Sequence, residues 1–327
     1  MYSNPASVAI AAFGLFSVVS SHGLVVNIKG ANGVTMPGLS VADGTPRDCS
    51  SNGCGSQADT SIIRDREIQS GQCGPLGRTQ GNGPVDASVM IANFMSGVAA
   101  PTNNGAEGAP GVEDNIPSNI GSASRGGRTN NNRRQLGNLL GGLLGGIGGG
   151  GRGGNAAGQK TSTASETSVA ATAGQGATNG LPTASDDGKV TVTYRQINQD
   201  GAGPLEAMVD GTSGGTTMSA FQKATVVQNV PGFVAGLSLA TNTDFPVEIQ
   251  MPAGMTCDGT VGGASNVCIV RLRNNTPAGP FGGSAAFTQS PAARKRAIEY
   301  RLKKRAEEKR DAVARRYNAY IRSSSNE

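Results

Sequence analysis

TVTYRQINQDGAGP, residues 191–204, decides the fold class. Val190, Val192 and Tyr194 alternate with Thr191, Thr193 and Arg195, so apolar side chains share one face and polar ones the other. That is the pattern of a strand buried on one side. Asn198, Asp200, Gly201, Gly203 and Pro204 follow, residue types that tolerate left-handed backbone, cap their own turns and restrict the exit direction. The chain on either side is read as supplying partner strands for this one.

Downstream, Leu205–Val209 and Ala224–Val230 read as strands separated by the turn TSGG (212–215), and Pro231-Gly232 is the next turn. Phe245, Val247, Ile249 and Met251 then recur at every second position. Cys257 and Cys268 flank a loop that one disulfide would pin, adding about 2–3 kcal/mol. Val270 and Leu272 fall on the face of Cys268, with Arg271 and Arg273 opposite, and Ser284–Gln289 supplies a last strand. Upstream, Leu24–Ile28 reads as the first strand, Ser61–Ile68 as one short helix, and Asp86–Gly97 as a strand or a helical turn. Turn signals about 8 to 12 residues apart favour an all-β, immunoglobulin-like antiparallel β-sandwich with long loops.

The composition changes at Pro101. From there to Asp187 the chain is largely Gly, Asn, Ser, Thr and Ala, including NNNRRQLGNLLGGLLGGIGGGGRGGN. Such a segment buries too little apolar area to offset its ordering entropy, so residues 101–187 are expected to be a disordered Gly-rich insert. It would separate residues 22–100, the first half of the sandwich, from residues 188–290, the second. The Leu pairs of 136–147 are read as linker, too short and too Gly-broken to span a bilayer. Ser290-Pro291 opens a helix, a cap followed by Pro at the first helical position, and residues 291–327 are expected to form a basic helical tail.

Charge separates body from tail. The net charge is +5, but residues 291–327 hold twelve Lys or Arg against five Asp or Glu, so they carry +7 and residues 1–290 carry −2. Any argument about anionic partners therefore concerns the tail, whose RKR and RLKKR clusters suit acidic polymers, anionic lipid or an import signal. Nucleic acid is not expected as a partner, because the body adds neither basic surface nor stacking aromatics. Val8–Val19 is an apolar run of signal-peptide length followed by Ser20 and Ser21. Residues 1–21 are read as a signal peptide and the protein as secreted, the alternative location being the cytoplasm.

His22 is the single histidine of the chain. Ser-His-Asp and Cys-His catalytic sets would have to use it as their base, at the start of the mature chain and outside the fold. HExxH and CxxC spacings are absent, and the GNG and GAG sequences lack the strand-to-helix context of phosphate loops. An N-terminal His offers an amine and an imidazole to copper, with Phe281 or Phe287 as axial neighbours, but two donors from one residue leave an open site. His22 is therefore the metal candidate, and no cofactor is expected otherwise. Asp200, Asp210 and Asp244 could pair as carboxylates for glycoside hydrolysis, yet each sits in turn-like sequence that suits a capping role. Asn274-Asn275-Thr276 is a glycosylation sequon, weakened by Pro277. Among Cys49, Cys54 and Cys73, one is left unpaired and sequence does not choose which.

HGLVVNIKGANG, DGTPRDC, QADTSIIRDREI, GRTQGNGPVD, YRQINQDGAGPLEAMVDGTS, QNVPG, FPVEIQMPAGMTC, NVCIVRLRN and AGPFGGSAAFTQ together resemble the appressorium-associated virulence factors of filamentous fungi, relatives of a powdery-mildew protein. The resemblance covers about residues 21–290 outside the insert. It implies a virulence factor produced when the infection structure forms and supporting host penetration, with no biochemical activity to carry over. It also implies a copper-monooxygenase-like sandwich in which some relatives place a second His where this chain has Arg195. The reading is a secreted, non-catalytic protein acting at the cell wall or host surface, with wall polysaccharide as a partner. The alternatives are a copper-dependent polysaccharide oxidase-like protein with an incomplete histidine site, and an intracellular protein of the infection cell.

Overall fold

The computed structural model describes residues 22–50, 54–100, 102–103, 157–161, 163–199, 201–232, 238–276 and 279–324. The signal-peptide reading of residues 1–21 and most of the expected insert lie outside them. The described chain is mostly antiparallel β-sheet with few helices and one long C-terminal helix.

The opening stretch becomes β8 (Lys189–Gln196), which lies between β1 (Gly23–Lys29) and β11 (Thr243–Gln250). Val190, Val192 and Tyr194 are all buried, as the alternation requires. β1 comes from before the insert and β11 from after it. Both pair with β8 antiparallel, Leu24 opposite Arg195 and Phe245 opposite Tyr194. β2 (Thr35–Pro37) flanks β1 on the outer side.

β10 (Phe221–Gln228) passes from one half of the strand array to the other. Its first residues, Phe221–Ala224, pair with β9 (Glu206–Asp210), and Thr225, Val226 and Gln228 pair with β11. The order continues through β13 (Ala264–Arg273) and β14 (Phe281–Gln289) to three short strands from before the insert, β3 (Ser61–Ile62), β4 (Arg78–Thr79) and β5 (Gly83–Pro84). One core joins the two parts of the chain: Leu24, Ile28, Leu76, Ile91 and Phe94 pack with Val192, Tyr194, Val247, Val270 and Phe287. Each such side chain contributes about 1.5–3 kcal/mol by burial.

Two local expectations are corrected, and a third, left between strand and helical turn, is resolved. Ser61–Ile68 is not one helix, because Ile62 pairs with Phe281; the helix α1 begins only at Asp65 and ends at Gln69. The ambiguous Asp86–Gly97 stretch is helix α2 (Ala87–Ser96). It is opened by Asp86, whose carboxylate accepts from the Ser88 N–H at 2.8 Å, and closed by Gly97 at φ 72°. Met90, Ile91 and Phe94 form its buried face.

The other correction concerns the end of the insert. Within 101–187, residues 159–184 carry β6 (Gln159–Lys160) against β11, the short helices α3 (Ser168–Thr172) and α4 (Gly176–Asn179), and β7 (Thr183–Ala184) against β14. Composition missed this because little of the segment is apolar, Val169, Leu181 and Ala184 being the buried aliphatics. It is fastened by charge and backbone instead. Arg47 and Glu166 hold it at one point, and Asp43 accepts from the Val169 and Ala170 N–H groups at 3.0 and 2.8 Å, capping α3.

The C-terminal helix, α5 (Pro291–Ser324), starts as expected at Ser290, whose hydroxyl accepts from the Ala293 N–H. Ala293 and Ala297 are buried against the body, and Arg294 donates to the Cys257 carbonyl and to Asp258. From Leu302 to Asn318 every side chain is exposed.

Candidate functional site

His22 stands immediately before β1, and the turn after β8 closes over it. Its N–H donates to Asn198 Oδ1 at 2.6 Å, its carbonyl accepts from the Ile197 N–H at 3.0 Å, and its ring centroid lies 4.6 Å from that of Phe281. Glycine is required at 201, where a Cβ would fall on the His22 carbonyl. The Tyr194 hydroxyl donates to the Gly201 carbonyl at 3.1 Å, and burial pushes its ionisation well above the ordinary phenol range. The turn chemistry visible in QDGAGP thus seats the first residue of the described chain.

His22 is 1% exposed. Of the two phenylalanines named as neighbours, Phe281 meets its ring, whereas Phe287 sits opposite Cys268 further along β14. Arg195, where the resemblance implied a second ligand, gives Nε and Nη2 to Asp244 at 2.7 and 2.8 Å and Nη2 also to Thr161. A permanently charged guanidinium is no metal donor. Among the described residues no three His, Cys, Asp or Glu side chains converge. One imidazole and one nitrogen already hydrogen-bonded to Asn198 do not fit a copper-monooxygenase centre.

The carboxylates proposed for hydrolysis have other partners. Asp210 accepts from the N–H groups of Thr212, Ser213 and Gly215 and from the Ser213 hydroxyl. Burial would raise its ionisation, but these donors outweigh it and hold it below the usual carboxylate range. Asp244 is paired with Arg195, and Asp200 lies outside the described residues. The sequon is buried as well: Asn274 is 1% exposed and its amide oxygen accepts from the Phe281 N–H at 2.9 Å, which leaves no room for a glycan.

Cys257 is bonded to Cys268 and Cys49 to Cys54, with Cα separations of 4.9 and 6.3 Å. Cys73 is the free, buried thiol. Burial first, and Glu67 second, push its ionisation up.

Sequence reasoning missed two arrangements. In one, Arg47 is bidentate to Asp59, Nη1 to Oδ1 at 3.0 Å and Nη2 to Oδ2 at 2.5 Å, and gives Nε to Glu166 at 2.9 Å. All three side chains are buried. Burial opposes the ionised form of Glu166, yet Arg47 and Ser168 hold its carboxyl below the usual range. The other is a cleft of about 430 Å³ between the first turns of α5 and the loop after β11. Asp186, Asp187, Gln250, Arg296 and Tyr300 supply its polar and aromatic lining. The Tyr300 ring lies beside Gly254, where a Cβ would come within 3.0 Å of it, and is 47% exposed. An exposed aromatic face beside carboxylates and amides can take up a hydroxyl-rich ligand, the ring covering its C–H groups and the polar atoms its hydroxyls.

No solved structure matches the chain. It is 52% identical over 303 residues to the appressoria-specific virulence factor GAS2 of Pyricularia oryzae, covering 91% of this chain and 93% of that protein. It is 36% identical over 128 residues to the appressoria-specific virulence factor GAS1 of the same fungus, 38% of this chain and 50% of that one. The sequence model of the Egh16-like virulence factors matches residues 20–282, from just before His22 into β14. The chain belongs to the Egh16-like virulence factor family.

Proposed function

We propose that this chain is a secreted fungal virulence factor of the appressorium that supports host penetration without catalysis, by binding polysaccharide at the cell wall or host surface. The carrying observation is the 52% identity to GAS2 along 91% of the chain, since GAS2 is named an appressoria-specific virulence factor. Two disulfides suit an exported protein. In this reading the scaffold is an immunoglobulin-like β-sandwich, its two sheets joined through β10. The buried Asp59, Glu166, Glu67 and Asp210 are committed to arginines or backbone donors, so the open cleft at Tyr300 is the surface assigned to the polymer.

Co-sedimentation with insoluble chitin and β-glucan tests this. The protein should leave the supernatant with at least one polymer, and Tyr300→Ala should weaken retention about tenfold, the loss of one aromatic contact. A protein that stays in solution with every wall polymer, or a Tyr300→Ala variant that binds as before, overturns it.

A further inference from the structure

Arg271, near the end of β13, is 1% exposed and has no carboxylate partner among the described ion pairs. Its Nη1 donates to the Pro75 carbonyl at 2.8 Å and lies 3.5 Å from Met218 Sδ. Its Nη2 lies 3.0 Å from Met208 Sδ, and its Cζ sits 5.2 Å from the Phe221 ring centroid. A guanidinium carries five donors, and a thioether is a weak acceptor, so this buried cation is under-supplied with oxygen. Burial, then the nearby Arg273 charge, pushes its ionisation down to about 10.

Met218 begins the short turn Met218–Ala220 ahead of β10 and is 37% exposed. It is the exposed methionine among the described residues; Met95 and Met208 are half-buried and the others buried. The most exposed methionine among the described residues is therefore also one of the two whose sulfurs are set against the unpaired cation.

We propose that Met218 is an oxidative modification site, converted by a hydroperoxide to the sulfoxide, whose oxygen takes a hydrogen bond from Arg271. A sulfur lone pair attacks one peroxide oxygen and the O–O bond breaks. With hydrogen peroxide, the departing hydroxide takes the proton left on the transferred oxygen and leaves as water. Sulfur gives up two electrons and the peroxide is reduced. Methionine oxidation commonly disrupts packing by placing a polar group among apolar ones. Here the new oxygen meets a charged donor, the stronger class of hydrogen bond. The three rotatable bonds of methionine let the longer group swing into place from an exposed turn.

The test is limited oxidation of the full chain with hydrogen peroxide, followed by peptide mass mapping and thermal melting. Met218 should be oxidised ahead of Met95 and Met208, and the oxidised protein should melt about 3–10 °C higher. Met218→Leu should abolish that rise while Met208→Leu keeps it. Met218→Gln, which carries an amide oxygen at similar reach, should raise the midpoint without peroxide. Oxidation that begins elsewhere, or a sulfoxide form that melts at or below the untreated protein, overturns the proposal.

Discussion

Replacing Arg47 by methionine should be among the most damaging single changes in this protein. Methionine keeps much of the volume of the side chain and removes its charge, so Asp59 and Glu166 remain in the interior without their cation. Asp59 is left with the Ala42 N–H at 3.1 Å, and Glu166 with the N–H groups of Thr167 and Ser168 and the Ser168 hydroxyl. Removing one member of a buried ion pair costs about 3–5 kcal/mol, mostly from the charge left behind. For a folded unit of this size that lowers the melting midpoint by about 6–20 °C. Equilibrium urea denaturation measures the loss, and limited proteolysis locates it: cleavage should appear first between residues 157 and 180, where Glu166 fastens the chain. Substituting Arg47→Met, Asp59→Leu and Glu166→Met together should recover part of the loss, because no charge is then stranded. A single variant within about 1 kcal/mol of the parent, or a triple variant worse than the single, would refute the assignment of the clamp.

Two other outcomes follow from the same geometry. Glu166 ionises below its ordinary value when folded, so its stabilisation is present above an unfolded-state pKa of about 4.3 and is lost as pH falls through the lower folded value. Glu166→Gln should remove that acid-side dependence, read from unfolding free energies between roughly pH 2 and 5. Converting Cys257 and Cys268 to alanine together should cost about 2–3 kcal/mol, because an unfolded loop of this length regains its freedom; a chemical-denaturation midpoint that does not move would sink that account.

The strands were legible where one face is wet and the other dry. β11 and the 189–194 part of β8 obey a period of two because each alternates between the core and a wetter face, and their turns carry Gly, Pro, Asn and Asp at the bends, whereas residues 267–272 of β13 are buried on both faces. Arg271 broke the rule. Alternation placed it on the polar face with Arg273, but β13 is flanked by β9 and β14, and Met208, Met218 and the Pro75 backbone close over that face. Glu166 was hidden for another reason. It is 119 residues from Arg47, and the chain around it is poor in apolar residues, so neither periodicity nor composition marks it. The available signal was scarcity: Lys160 and Glu166 are the charged residues of 157–185, and the first bonds to Thr241 while the second meets Arg47. The cleft at Tyr300 depends on how α5 lies against the loop after β11, which no local pattern specifies.

The two buried arginines use opposite solutions to the same problem. A guanidinium taken out of water loses several kcal/mol of hydration, and two nearby carboxylates can repay much of that. Arg47 has them, and its charged form is held more firmly than in water. Arg271 has a carbonyl, two thioethers and an aromatic ring, and its charged form is held less firmly. In the first arrangement two carboxylates already balance the charge and take Nε, Nη1 and Nη2. The second gains from any oxygen brought within reach of Nη1, and the group already placed there, the Met218 sulfur, is one that acquires an oxygen by ordinary chemistry. The same fold therefore contains one arginine matched by two carboxylates and one that has no carboxylate partner among the described ion pairs and to which a single added oxygen would give a further acceptor.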